Sequence, residues 1–239
     1  MIDSLRVLAV VPARGGSKGV PLKNLRKVNG VPIVTLAGRV ASQVRCIDRA
    51  VVSTDHHDIA IAAEKGGLEA PFRRPDSLSG DRIADLEVLS HALLTMEKLD
   101  NVRYDIVAML QPTSAMRTVR HVTETIELLV KERLDAVWTV SETDSKAHPL
   151  KQLTVIDGKL DYYDPRGKEI VARQQLQPVY HRNGLAYAIT RGCLIEKQSI
   201  MGDRAGAVIC EGDFISIDTE FDFMLTNFLL EKELKDLGE

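Results

Sequence analysis

The chain has 239 residues, with 31 basic and 34 acidic side chains for a formal net charge of −3. That length can bury one substantial core, and the near balance, with no long basic tract, speaks against nucleic-acid or anionic-membrane binding. Cys46, Cys193 and Cys210 form no CxxC pair and meet no histidines at zinc-like spacing, the opening MIDSLRVLAVV is too short an apolar segment for a signal peptide, and no run of about eighteen apolar residues occurs, so a disulfide framework, a structural metal and a membrane span are not expected and a cytoplasmic protein is.

Val7 to Val11 is an unbroken apolar run, which suits a strand covered on both faces of a parallel sheet. Pro12 ends it, and a glycine-rich turn follows. Gly15, Gly16 and Gly19 are expected to take positive φ, letting the backbone approach a ligand while its N–H groups converge on phosphate oxygens. Arg14, Lys18 and Lys23 add charge to the same loop. The pattern is neither the P-loop nor GxGxxG, which favours a nucleoside triphosphate over a dinucleotide. A plain solvated strand-to-helix loop is the alternative.

Apolar residues at helical spacing predict a helix over 31–44, with Pro32 in its first turn. Residues 49–55 read as a second buried strand, 58–65 as a helix, 69–72 as a short strand and 84–98 as a helix. Residues 105–111 form another buried strand that ends on Gln111, followed by a helix over 118–133 and a strand over 136–140. This alternation predicts a parallel sheet with its ligand at the carboxyl ends of the strands. Near residue 145 the rhythm changes. LTVIDGKLDYY reads as a hairpin turning at Asp157-Gly158, and the segment to about Tyr180 is polar and Gln-rich, so 145–182 reads as an arm inserted into one α/β domain spanning 1–239. Strands over 185–190 and 207–210 and a helix over 220–234 complete the chain.

Five stretches resemble, in order, the motifs of the acylneuraminate cytidylyltransferases: ARGGSKGVPLKN at 13–24, STD at 53–55 with RRP at 73–75, LQPTSAMR at 110–117, ARQQLQPVYHRNGLAY at 172–187 and ISIDTEFD at 215–222. The resemblance spans nearly the whole chain. It implies a Rossmann-like nucleotidyltransferase domain, mostly parallel sheet with helices on both faces, whose small inserted arm makes a homodimer. The implied reaction is transfer of CMP from CTP to the anomeric hydroxyl of a nonulosonic, sialic-type acid, releasing pyrophosphate. By the same resemblance Arg14 and Lys23 are catalytic, and Arg14, Gly15, Lys18, Lys23, Asn24 and Arg74 bind nucleotide, Asn24 reading the cytosine edge. Gln111, Thr113, Lys151, Arg173 and Tyr187 bind the sugar acid, Arg173 from the partner subunit, and Asp218 binds Mg²⁺. The chain departs from the pattern at Ser216, where many members carry a second Asp, at Asp85 in place of a serine-like contact, and at Ala115 and Met116.

Other readings stand beside these. A nucleotidyltransferase using GTP or another NTP on an aminosugar phosphate would show itself at Asn24, and a non-catalytic nucleotide-sugar binding protein would tolerate Ser216. Asp218, before Thr219 and Glu220, also reads as a helix cap, as does Asp55. His56-His57 reads as a surface turn, Trp138, Met109 and Met116 as packing, and His148 and His181 as solvated or core-satisfied groups of the arm.

Overall fold

The computed structural model describes residues 2–236, with side chains described to Lys232. The chain runs through β1 (Val7–Pro12), β2 (Lys27–Val28), β3 (Val31–Pro32), α1 (Ile33–Ala41), β4 (Arg49–Ser53), α2 (His57–Glu64), α3 (Asp85–Asp100), β5 (Ile106–Met109), α4 (Val119–Lys131) and β6 (Ala136–Glu142). It continues through β7 (Leu153–Ile156), β8 (Lys159–Tyr162), β9 (Tyr180–Thr190), β10 (Ala205–Ile209) and α5 (Glu220–Asp236).

A six-stranded sheet in the order β10-β6-β9-β5-β1-β4 forms the centre. β1 is paired in parallel on both sides, with β4 and β5, and β10 is parallel to β6. β9 alone runs antiparallel, to both β5 and β6, because the chain leaves the sheet after β6 and returns beside it as the second leg of a hairpin. The apolar run of β1 is buried on two sides as its composition requires. Val7, Ala9 and Val11 pack with Val34 and Ala37 of α1, Ile59 of α2 and Val122 and Ile126 of α4. Leu8 and Val10 pack on the other face with Leu89, Leu93 and Met96 of α3. Each of the fully buried Val, Leu, Ile and Met side chains contributes about 1.5–3 kcal/mol.

Several boundaries differ from the sequence reading. The first helix starts at Ile33, because Val31 and Pro32 pair back across the Asn29-Gly30 turn, Val31 opposite Val28 and Pro32 opposite Lys27. Asn29 and Gly30 have φ of 47° and 77°, the geometry that Asn-Gly adopts in a tight hairpin. The expected strand at 69–72 reduces to a single bridge between Glu69 and Val51, with Pro71 unable to continue a ladder. Between β6 and β9, residues 143–179 add no strand to the main sheet. They hold the β7–β8 hairpin, turning at Asp157 and Gly158 with φ of 50° and 73°, and short 3₁₀ turns.

One glycine of β9 fixes how closely two strands meet at the site. Gly184 has φ +74°, and a Cβ there would lie 2.6 Å from Gln111 Oε1 and closer still to Ser114 Oγ. Gly184→Ala should therefore lower stability by roughly 1–3 kcal/mol, from strained backbone and overlap together, read as a lowered midpoint in urea unfolding.

Candidate functional site

The carboxyl ends of β1 and β5 open into one cleft of about 600 Å³. Arg14, Lys18, Lys23, Asn24, Arg74, Gln111 and Thr113 all line it, together with Asp81, Asp85, Ser216 and Asp218. Strand ends from the parallel part of a sheet are where such a fold presents a ligand site.

The loop after β1 is tied down from several directions. The Gly15 amide donates to Asp55 Oδ1 at 2.8 Å, so Asp55 anchors the loop and His56 caps α2 instead, its Nδ1 accepting from the Asp58 amide at 3.2 Å. Asn24 is buried and donates from Nδ2 to the Arg14 carbonyl at 2.9 Å. Gly15, Gly16 and Gly19 do not adopt the expected positive φ. Gly15 and Gly19 serve close approach instead: a Cβ on Gly15 would meet His56 at 3.0 Å, and one on Gly19 would meet the Asp218 carbonyl at 2.8 Å.

Cations dominate the cleft, and the three from the loop each rest on an aspartate. Arg14 Nη1 and Lys18 Nζ both bond Asp81, Arg14 at 2.6 Å. Hydrogen bonds from Lys18 and then Arg14 hold the Asp81 carboxyl below its ordinary value. Lys23 Nζ bonds Asp218 Oδ1 at 2.8 Å. Arg74 is buried, donating from Nε to Ser53 Oγ at 3.1 Å and from Nη2 to the Ser53 carbonyl. Burial lowers its pKa to about 10, so it stays charged at neutral pH.

Asp218 is not a helix cap. Asp222 Oδ2 accepts from the Asp218 and Thr219 amides at 2.9 and 2.7 Å, and Thr219 Oγ1 accepts from the Asp222 amide, so α5 is capped without the Asp218 carboxylate. A backbone bond from Ile217 to the Thr113 carbonyl, 3.0 Å, brings this segment beside the end of β5.

The sugar-acid residues expected from the motifs separate. Gln111 and Thr113 line the cleft. Tyr187 does not: it is 1% exposed, a core residue whose ring meets Trp138 edge-on at 5.4 Å. Lys151 is exposed at the end of a 3₁₀ turn, and Arg173 lines a second cavity of about 400 Å³ with Glu142, His148 and Pro178. Within one chain neither Lys151 nor Arg173 reaches the first cleft's lining. Trp138, Met109 and Met116 pack as expected, and His148 is buried with Nδ1 accepting from the Leu150 amide.

Two residues gain roles that motif reading does not assign. Asp81 lies in a polar, aperiodic stretch and is found only by its contacts. Arg117, part of LQPTSAMR, is buried, and its guanidinium donates to the carbonyls of Leu185, Gln111 and Gly184. Burial pushes its pKa down to about 9.

A mostly parallel sheet with a cation-lined cleft at its strand ends defines a nucleotidyltransferase-type α/β protein. The family model for cytidylyltransferases matches residues 8–224. The chain belongs to the cytidylyltransferase family, on its acylneuraminate side. It is 32% identical over 235 residues to the CMP-N,N'-diacetyllegionaminic acid synthase of Legionella pneumophila, covering 95% of this chain and 97% of that one. It is 26% identical to the N-acylneuraminate cytidylyltransferase of Escherichia coli O18:K1:H7, covering 95% of this chain and 53% of that one. Among solved structures, a CMP:2-keto-3-deoxy-manno-octonic acid synthetase complexed with CTP superposes with a TM-score of 0.67 at 20% identity, covering 95% and 99% of the two chains, which supports the fold.

Arg117→Ala would take this donor from the buried Leu185 and Gly184 carbonyls, at about 1–3 kcal/mol each in the absence of water entry, while the Gln111 carbonyl would keep the Ser114 amide. A drop in stability of about 3 kcal/mol or more is expected in chemical denaturation, larger than for Arg120→Ala on the exposed face of α4.

Proposed function

We propose that this protein transfers CMP from CTP to the anomeric hydroxyl of a nonulosonic acid and releases pyrophosphate. The observation that carries the reading is the meeting of Arg14, Lys18 and Lys23 with Gln111 and Thr113 in one cleft of a cytidylyltransferase-family chain. In-line displacement at a phosphorus needs alignment and neutralisation of charge more than it needs a covalent group. Arg14, with a planar fork that bridges two oxygens, suits the transferred phosphoryl group, and Lys18 and Lys23 suit the remaining phosphates. Arg74 and Asn24 belong to the nucleotide side, Gln111 and Thr113 to the sugar side. Gln111 offers both a donor and an acceptor to hydroxyls.

Asp81 occupies the place between Arg14 and Lys18 that a phosphate would take, so nucleotide enters in exchange for this carboxylate. Asp218 is exposed and gives one oxygen to Lys23, leaving a carboxylate at the cleft for Mg²⁺. In this reading the ion is held by one carboxylate with phosphate oxygens and water. When bound, Mg²⁺ would offset the triphosphate charge.

The acid is of the legionaminic, neuraminic or pseudaminic type, the acids for which the relatives are named. The reading includes a single domain with residues 145–182 as a dimerisation arm. Val155, Ile156, Leu160, Tyr163 and Val171 there are all largely exposed in one chain, Val171 at 91%, an apolar surface of the kind that marks a protein interface. Lys151 and Arg173 stay with the sugar pocket in this reading, supplied by the partner subunit, while Tyr187 supports that pocket from the core. Among the described residues no helix is long and apolar enough to cross a membrane, and a cytoplasmic location fits the free thiols of Cys193 and Cys210.

The test is Mg²⁺-dependent pyrophosphate release from CTP with neuraminic, legionaminic, pseudaminic and octulosonic acids. Release with one nonulosonate, at least about 100-fold weaker in Arg14→Ala, is expected; silence across the panel sinks the reading. Asp81→Asn removes the competing charge and should tighten CTP binding several-fold in calorimetric titration, with unchanged or weaker binding as the contrary result.

A further inference from the structure

Helix α5 is apolar on two opposite sides, and within one chain only one of them is covered. Phe223 and Leu230 pack into a small cluster with Val28, Ile33 and Ile217, and Thr226 between them is fully buried. On the far side Phe221, Met224 and Phe228 are 67%, 69% and 62% exposed. A helix that is apolar all round belongs inside a larger body, and a continuous apolar patch of this kind marks a surface that meets another protein.

The spacing on the uncovered side says what fits it. Phe221, Leu225, Phe228 and Lys232 follow one another at intervals of four, three and four residues, the period that keeps a seam turned toward a second helix. Such a seam is complementary to its own copy across a two-fold axis. Charge sets the direction. Run parallel, the exposed Lys232 would face the Lys232 of the partner subunit; run antiparallel, it comes to the acidic start of the other helix, beside the exposed Glu220, and the two helix dipoles oppose. Area agrees with a stable pair. Side chains of this size present on the order of 200 Å² each, so three that are about two-thirds exposed remove roughly 400 Å² per chain from water, about half of the ~800 Å² that each partner brings to a standard interface. A polar rim supplies the remainder.

We propose that α5 pairs antiparallel with α5 of a second copy of this chain, with Phe221, Leu225 and Phe228 as the seam and Met224 on its flank. The arm at 145–182 is a different surface, so a chain that uses both has two two-fold contacts and closes as a tetramer.

The experiment measures the mass of the full chain by light scattering and sedimentation equilibrium, for wild type and for Phe221→Ser/Met224→Ser/Phe228→Ser, with native circular dichroism confirmed first. The expected result is a mass halved in the variant. The step is tetramer to dimer where the arm also joins two chains and dimer to monomer where it does not, so a failure of the arm reading and a failure of this one are told apart. An unchanged mass, or a wild type that stays monomeric over its soluble range, overturns the pairing. A second measurement fixes the occupant and serves if the triple variant does not fold: Phe221→Cys/Lys232→Cys should give a cross-linked pair of chains on mild oxidation, while wild type and each single variant should not. Absence of that cross-link overturns the helix pair even where the mass falls, and points to another surface of the second copy, such as its arm, seated on α5.

Discussion

A buried guanidinium holds the site together. Arg117 sits in the turn between β5 and α4 and reaches across to β9, donating to carbonyls on both sides of the join. A charge without a carboxylate partner is costly to bury, and it is tolerable here because backbone dipoles converge on it. The arrangement makes the conformation of residues 111–117 depend on β9 being in place. Gln111 and Thr113 inherit their positions from that dependence, and through the Thr113 carbonyl so does the segment carrying Asp218. The antiparallel strand is thus a support for the mouth of the cleft as well as a member of the sheet.

The cleft itself is an exercise in charge storage. Three cations at one place would repel each other, and the loop that bears them is anchored in the core only through Ala13, Val20 and Asn24. Aspartates on distant parts of the chain, Asp81 before α3 and Asp218 before α5, hold these cations in place. Such solvent-facing pairs add little to stability. Arg74 is different in kind: fixed to Ser53 by two bonds and buried, it supplies a permanent positive potential.

Much of this architecture is legible in the amino-acid order because the physical signal is local. The run at Val7–Val11 announces burial on both faces, and the structure packs its alternate residues into two separate clusters. The Asp157-Gly158 turn is equally local. Where several local signals compete, one is lost: Val31 and Pro32 fit a helical period, but the Asn29-Gly30 turn before them prevails and makes a small hairpin. Direction is not carried by periodicity at all, so β9 can be read as a strand without its antiparallel sense. Asp81 is invisible for a related reason, since its meaning lies in two cations more than sixty residues earlier in the chain. The loop glycines are readable as necessary, but their need comes from His56 and the Asp218 carbonyl pressing close, neighbours that only the fold supplies. Lys151 and Arg173 likewise carry motif positions whose place in space is not set by one chain's cleft.

The way residues 143–179 leave the sheet bears on how this fold can vary. They depart from the end of β6 and rejoin at the start of β9, where Glu142 lies opposite Tyr180 and Ser141 opposite His181. The excursion therefore hangs from the tip of a hairpin whose pairing continues below it, through a register shift between Trp138 and Val140. Closing a longer loop on such a stem costs only about 0.6 kcal/mol for each doubling of its length. Changes of length at this point are therefore nearly invisible to the core, and what residues 143–179 carry can be altered without disturbing the cleft end of the sheet.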